Sequence, residues 1–419
     1  MSVHPLSIGD AEFWRRPPAQ RMADFAELRE EHGAFVPVEL PNLFGDPIPF
    51  QAAVGHPELV EISRLPQVFC SGQGSISIQD MPAEALEFFG SFITMDDPRH
   101  ARLRAIVSRS FTPRRLEQVV QSVDTICAEL IDGICERGEV DLVTEVSAPF
   151  PLLVICDMMG IPRSEFGAVL DATNIILGAG DPEMLGGRDP MSAMFEAGIT
   201  LTGLMTELAE KRRADPTDDL TSALVHANVD GESLTNEELG PFFILLAVAG
   251  NDTTRTATSL GMHFLGEHPD QRRVWQDDLE ATTPTAVEEI VRYASPVTFM
   301  RRTATQAATI GGRTFDEGEK VVLFYGAANR DPRVFDDPDT FDVRRDPNPH
   351  VGFGGPGPHF CLGAHLARRE LGIVFRQLLT RLPDIEPSGP PDFLEAYTIP
   401  LVSGVKHLPV TFTPTAPGT

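Results

Sequence analysis

Residues 353–363 read Phe353-Gly354-Gly355-Pro356-Gly357-Pro358-His359-Phe360-Cys361-Leu362-Gly363, a single cysteine presented by a glycine-proline loop directly ahead of a helical pattern. A cysteine so placed sits beside the free N–H groups and positive dipole end of a helix, which stabilise a thiolate. That arrangement suits a thiolate ligand of haem iron, and Gly355, Gly357 and Gly363 would let the backbone turn sharply and lie close to a flat macrocycle. Downstream, Leu371, Val374, Phe375, Leu378, Leu379 and Leu382 recur at spacings of three and four, the signature of a helix burying one face. A cysteine without such a loop is more often a small buried hydrophobe. That is the reading for Cys70, Cys127, Cys135 and Cys156, whose spacings suit neither zinc nor an iron–sulfur cluster.

A second constellation stands upstream. Thr235 followed by Glu238 forms a capping box, and an apolar run from Pro241 to Ala249 follows it. The helix so begun should run for roughly thirty residues and, being apolar almost all round at its start, cross the core. In its middle, Ala249-Gly250-Asn251-Asp252-Thr253-Thr254 weakens helix propensity where packing would prefer Leu or Ala. Such an inconsistency points to function. Asp252 beside Thr253, with a groove left by Gly250, could hold water and pass protons into a dry pocket. The structural alternative is a Thr253 that bonds back to a carbonyl, with Asp252 in a surface ion pair.

Taken together, these residues resemble the cytochrome P450 family, and the resemblance spans nearly the whole chain. It implies that Cys361 is the axial ligand of a haem b (iron protoporphyrin IX), that Phe353 packs near it, and that His359 reaches a propionate. The stretch from Phe353 to Cys361 holds one residue more than Phe-x-x-Gly-x-His-x-Cys, the commonest form of the signature. In this it is similar to the actinobacterial branch that oxidises sterols and methyl-branched lipids, as are Met95-Asp96-Asp97-Pro98-Arg99-His100, the Asn-Asp-Thr-Thr-Arg run and Gly404-Val405-Lys406-His407-Leu408-Pro409. The resemblance assigns Thr253 and Asp252 to proton delivery. It places His100, Arg104 and Arg302 on the propionates with His359, where bidentate Arg is well suited. It maps a buried structural triad onto Glu289, Arg292 and Arg345; by spacing alone Glu289 and Arg292 are a three-apart pair of the kind usually found on solvated faces. It lines the substrate pocket with Ile93, Val248, Ala249, Val297, Phe299 and Leu401, all apolar. Between Pro98 and Arg115 stand six arginines and one histidine with no acid. Of these, Arg102 and Arg109 are expected to dock an acidic electron donor by charge steering.

The elements that must position these groups are mostly helices. Helical patterns run from about 99 to 110, 115 to 137, 144 to 159 and 199 to 214, with Pro149 and Pro151 kinking or delaying the third. Residues 178–191, with four glycines and two prolines, read as a surface loop, or as a mobile lid if the resemblance holds. Short strands are expected within residues 1–90, 295–325 and 395–412, which together would contribute a small β-rich region. The expectation is therefore one domain over 1–419, mainly α (α+β), with the helix-rich triangular cytochrome P450 fold and small peripheral sheets. A chain of 419 residues with 42% hydrophobic residues and 26 Phe has ample core to bury a cofactor. Its net charge of −27 argues against nucleic acid as a partner. No apolar run reaches membrane-spanning length, no signal peptide is read at the N-terminus, and five scattered cysteines suit a reducing compartment, so a soluble cytoplasmic protein is expected.

The activity implied by the resemblance is that of a monooxygenase hydroxylating a C–H bond of a hydrophobic small molecule, a sterol, steroid or methyl-branched lipid. It would use O2 and electrons relayed from NAD(P)H through a ferredoxin reductase and a ferredoxin. The runner-up is a hydroxylase or epoxidase tailoring a polyketide, terpene or peptide. A haem-binding carrier or sensor, and a peroxide-driven enzyme, are disfavoured because both Asp252 and Thr253 are present.

Overall fold

The computed structural model describes residues 7–41, 46–110, 113–227, 234–395 and 398–418, with the backbone alone at 110, 113–118 and 120. Arg114 and Arg115 of the basic stretch thus have side chains outside the described set. Helices dominate, and the spine is Asn236–Glu267, a helix of 32 residues that opens on the Thr235–Glu238 capping box. The helices Pro149–Met159, Pro190–Ala214, Leu279–Ala294 and Ala364–Arg381 pack against it. Nearly every residue from Leu239 to Ile244 and from Thr254 to Leu265 is buried, so the spine is apolar on most sides where it crosses the largest hydrophobic cluster.

The main sheet has five strands in the order Phe35–Leu40, Ile48–Ala53, Lys320–Phe324, Phe299–Ala304 and Phe69–Cys70. Only the pairing of Ala52 with Val322 and its neighbours is parallel; Arg302 lies opposite Val321 in an antiparallel pair. Two smaller apolar clusters flank this sheet, one built on Trp14, Phe25 and Phe324 and the other on Phe69, Phe315 and Tyr325. A hairpin joins Ala308–Ile310 to Arg313–Phe315 through Gly311 and Gly312, at φ +54° and +82°, the pair of positive φ values that a tight two-residue turn requires.

The C-terminal strands belong elsewhere. Pro409–Thr411 pairs with Glu139–Asp141 and Glu386–Pro387, and Val405–His407 pairs with Asp392–Phe393; the isolated bridge from Val297 to Val402 is their link to the 295–325 region. The expected 144–159 helix is divided, with a wide turn at Val143–Ser147 before Pro149–Met159, because Pro149 and Pro151 fit the first turn of a new helix. The 199–214 pattern is the second half of Pro190–Ala214, whose start is capped by the Asp189 carboxylate.

Residues 178–191 are more fixed than a surface loop. The fully buried Asp181 caps a short helix at Pro182–Leu185 and accepts from Glu395 N at 2.9 Å and Lys406 Nζ at 3.3 Å. Among the described residues, no helix is long and apolar enough to cross a membrane.

Candidate active site

Four of the five cysteines are buried, and Cys361 is accessible. Its own N–H donates to Phe353 O at 2.9 Å, closing the loop, and the helix Ala364–Arg381 begins three residues later. Gly354 takes φ +89°, which only glycine adopts without strain. The accessible thiol is still walled by protein: desolvation raises its pKa, while the Gly363 N–H and the charges of Arg104 and Arg368 act to lower it. Phe353 is half-buried beneath the Arg368 guanidinium, 4.4 Å from ring centre to Cζ.

The glycines of the loop do different work from that expected. A Cβ at Gly355 would stand 2.5 Å from Ser63 Oγ, and one at Gly357 would stand 2.2 Å from Ser63 O. Both are glycine so that the loop can pack on the end of the His56–Ser63 helix. Gly363 alone faces open space, with no atom within 4 Å of an added Cβ.

Around the loop converges a set of basic groups. Arg104 donates from Nη2 to Phe360 O at 2.5 Å. The rings of His100 and His359 lie 4.2 Å apart between centroids. His100 is held by Asp97 at 3.3 Å through Nδ1, and its buried Nε2 has no hydrogen-bond partner. Arg302, 7% exposed, bonds to Arg301 O and has no ion pair among the described residues. Burial, followed by the charges of Arg302, His100 and Arg104, pushes the His359 pKa down to about 2, leaving a neutral imidazole. Desolvated cations without counter-charges are costly. The cluster therefore fits a ligand that brings carboxylates, and with Cys361 accessible and open space at Gly363 the residues present suit haem.

The middle of the long helix borders the same region. Ala249 is exposed and Val248, Gly250 and Thr253 are half-buried in the middle of this helix. Thr253 donates to Ala249 O at 2.7 Å, the back-bonded geometry. Asp252 is in no surface ion pair: it is buried, both carboxylate oxygens lack hydrogen bonds, and desolvation raises its pKa against the opposing charge of Arg255. The two side chains are not bonded to each other, since successive helical residues point about 100° apart. Gly250 makes room for Ile155, whose Cδ1 would be 2.8 Å from an added Cβ, so the expected water groove is filled there. Asn251, Thr256 and Thr258 also bury polar atoms without partners, the pattern of sites for ordered water.

One carboxylate escaped the sequence reading. Glu370, on the helix that follows Cys361, is buried and accepts from Thr254 Oγ1 at 3.1 Å. Desolvation pushes its pKa up to about 8, with the Thr254 bond opposing. The available signal was its place one residue before the 371–382 apolar pattern and four before Val374, on a face that pattern buries.

Glu289 and Arg292 are fully buried, not solvated, and joined by two bonds of 2.7 and 2.8 Å. Arg345 reaches Glu289 at 3.2 Å, and Asp342 N and Asn348 Nδ2 complete the carboxylate's partners. Of the expected pocket residues, Ile93, Val248, Val297 and Leu401 are half-buried and Ala249 is open. Phe299 does not join them. It is 3% exposed and packs with Trp14, Phe25 and Phe324, because strand alternation sends it to the face opposite Arg302. Met300, the next residue, shares the Arg302 face, is half-buried and packs against the Phe69, Phe315 and Tyr325 cluster. Arg109 is exposed, whereas Arg102 is ion-paired with Glu238 of the capping box.

Comparison with known proteins gives concordant results. Residues 190–396 match the family model described as Cytochrome P450. The chain is 43% identical to the methyl-branched lipid omega-hydroxylase of Mycobacterium tuberculosis (strain ATCC 25618 / H37Rv), over 98% of this chain and 95% of that protein. It is 36% identical to the steroid C26-monooxygenase of Mycolicibacterium smegmatis, over 95% of this chain and 91% of that protein. A solved Mycobacterium marinum cytochrome P450 in complex with pseudoionone superposes with a TM-score of 0.89 at 40% identity, covering 98% of this chain and all of that one.

Proposed function

The chain belongs to the cytochrome P450 family and is a haem-dependent monooxygenase, and on that premise we propose that it hydroxylates a C–H bond of a methyl-branched lipid or a steroid. The observation that carries the substrate class is the near full-length similarity to two hydroxylases named for those substrates. The apolar and accessible Ala249, with half-buried Ile93, Val248, Val297 and Leu401, agrees with a hydrophobic substrate.

Cys361 would hold the iron of haem b, and His100, Arg104, Arg302 and His359 would hold its propionates. When bound, the haem supplies O2 activation at an iron made electron-rich by a thiolate. The protein's own part is to place and protonate. Asp252 retains its carboxyl proton to higher pH than an ordinary Asp, and the Thr253 hydroxyl needs only to rotate away from Ala249 O to donate into the site. Glu289, Arg292 and Arg345 brace the segment that leads into the cysteine loop. Electrons would come from NAD(P)H through a ferredoxin and its reductase, the ferredoxin docking near Arg109.

The test is a carbon monoxide difference spectrum of the reduced protein, followed by titration of the ferric form with methyl-branched fatty acids, sterols and polyketides. A strongly red-shifted Soret band shows thiolate ligation. A spin-state shift produced by the branched lipids or sterols, but not by polyketides, supports the substrate class; the reverse order assigns a secondary-metabolite substrate instead.

A further inference from the structure

A cavity of about 190 Å³ lies away from the haem-binding residues, between the Pro18–His32 helix, the end of the long helix and the turn after Leu279–Ala294. Trp14, Phe25, Phe264, Phe324 and Phe393 give it apolar walls. None of His100, Arg104, Arg302, His359 and Cys361 lines it. Its share of the long helix, Leu260 to Glu267, starts about 10 Å along the axis beyond Thr253.

Into this apolar space the protein sets Arg21. The side chain is 5% exposed, its Nη2 donates to Ser403 Oγ at 3.1 Å, and its buried Nε has no partner. The guanidinium lies 5.5 Å from the Trp14 ring centre, and no carboxylate pairs with it among the described residues. Burial alone lowers its pKa to about 10. Thr298, also lining the cavity and nine-tenths buried, has an unpartnered hydroxyl.

The other charges at the cavity have opposite charges nearby. Arg330, whose buried Nε and Nη1 lack hydrogen bonds, lies 3.4 Å from Asp339 and stacks 3.6 Å from the Tyr293 ring centre, and the exposed Glu267 is 3.5 Å from His263. A buried guanidinium with a free N–H, a free hydroxyl lining the same cavity and aromatic walls make a complementary surface for a carboxylate on an apolar body. The volume sets the size: a 150 Å³ apolar cavity accommodates about one benzene.

We propose that this cavity is a second binding site, distinct from the haem pocket, for a small monocarboxylate of about benzoate size, held by Arg21 and Thr298. Its occupant would border Thr298 and Ser403, which line the cavity and stand one and two residues along the chain from the expected pocket residues Val297 and Leu401.

The experiment is a fluorine NMR titration of the haem-loaded protein with 4-fluorobenzoate, with the haem iron blocked by a saturating bulky azole. 4-Fluorobenzamide serves as the neutral twin. Expected is saturable binding at one site that survives the azole, about tenfold or more tighter for the carboxylate than for the amide. Arg21→Met should weaken the carboxylate at least about tenfold, and Arg21→Lys should retain part of the affinity. No saturable binding, displacement by the azole, equal affinity for the two twins, or undiminished binding in Arg21→Met would each overturn the proposal. Should Arg21→Met not fold, the carboxylate–amide comparison on the unaltered protein decides. The readout is independent of turnover, so failure here leaves the proposed reaction standing.

Discussion

At the scale of single residues, burial inside a helical core makes a carboxyl group hold its proton more tightly, and the long helix touches two such groups. Asp252 lies on the helix itself and Glu370 meets it through Thr254. Because the folded pKa of Glu370 lies above its unfolded value, the folded state binds that proton more tightly. The stability so gained is complete below the ordinary carboxylate range and is lost as pH rises toward about 8. Glu370→Gln should therefore flatten the fall in unfolding free energy over that window, measured by urea denaturation at a series of pH values; an unchanged slope would remove Glu370 as its source. Asp252→Asn should lower turnover by roughly 10²-fold while leaving the substrate-induced spin shift intact. A variant that kept full turnover would show that protons enter by another route.

At the scale of elements, two polar hubs tie together pieces distant in sequence. In the first, Glu289 pairs with both Arg292 and Arg345, joining the Leu279–Ala294 helix to the segment that runs into the cysteine loop. Removing one member strands a buried charge, so Glu289→Ala should cost about 3–5 kcal/mol of stability, read as a lowered melting temperature and weaker haem retention. In the second hub, His407 bridges Asp141 at 2.5 Å and Glu183 at 2.8 Å, fastening the short Pro182–Leu185 helix to the C-terminal strands. Burial works to lower its pKa, yet the bonds to the two acids prevail and raise it. This contribution is present in full below the ordinary His pKa and lost as pH rises through the raised value. Hydrogen exchange at residues 181–185 should accordingly speed up on raising pH beyond the intrinsic base catalysis of exchange, and the excess should vanish in His407→Gln.

At the scale of the whole molecule, a chain of net charge −27 has a basic stripe of sequence, residues 98–115, with six arginines and no acid. Such a stripe steers an acidic partner, and only its exposed members count. Arg109→Glu should slow ferredoxin-supported turnover and weaken its salt dependence. Arg102→Glu should act differently, destabilising the start of the long helix by facing Glu238. If both variants changed only stability, the electron donor would have to dock on another face.

The sequence by itself determined the features whose physics is local. The Cys361 loop ahead of a helix, the Thr235–Glu238 cap and the helix over Arg99–Ser110 follow from turn chemistry, capping and periodicity, which need only neighbours along the chain. Through resemblance it also carried His100, Arg104, Arg302 and His359 to one region. Tertiary structure alone decided what each group meets there. Gly355 and Gly357 answer to Ser63, Gly250 to Ile155, and Arg102 to Glu238, each a contact across many residues. Phe299 turned to the core because strand phase was set by pairing with Lys320–Phe324, which no local pattern encodes. Arg21 was invisible for the same reason, and Glu370 showed only by its place beside an apolar helical pattern: a charged residue in a sequence reads as solvated, and only the packed fold shows that water has been excluded from it.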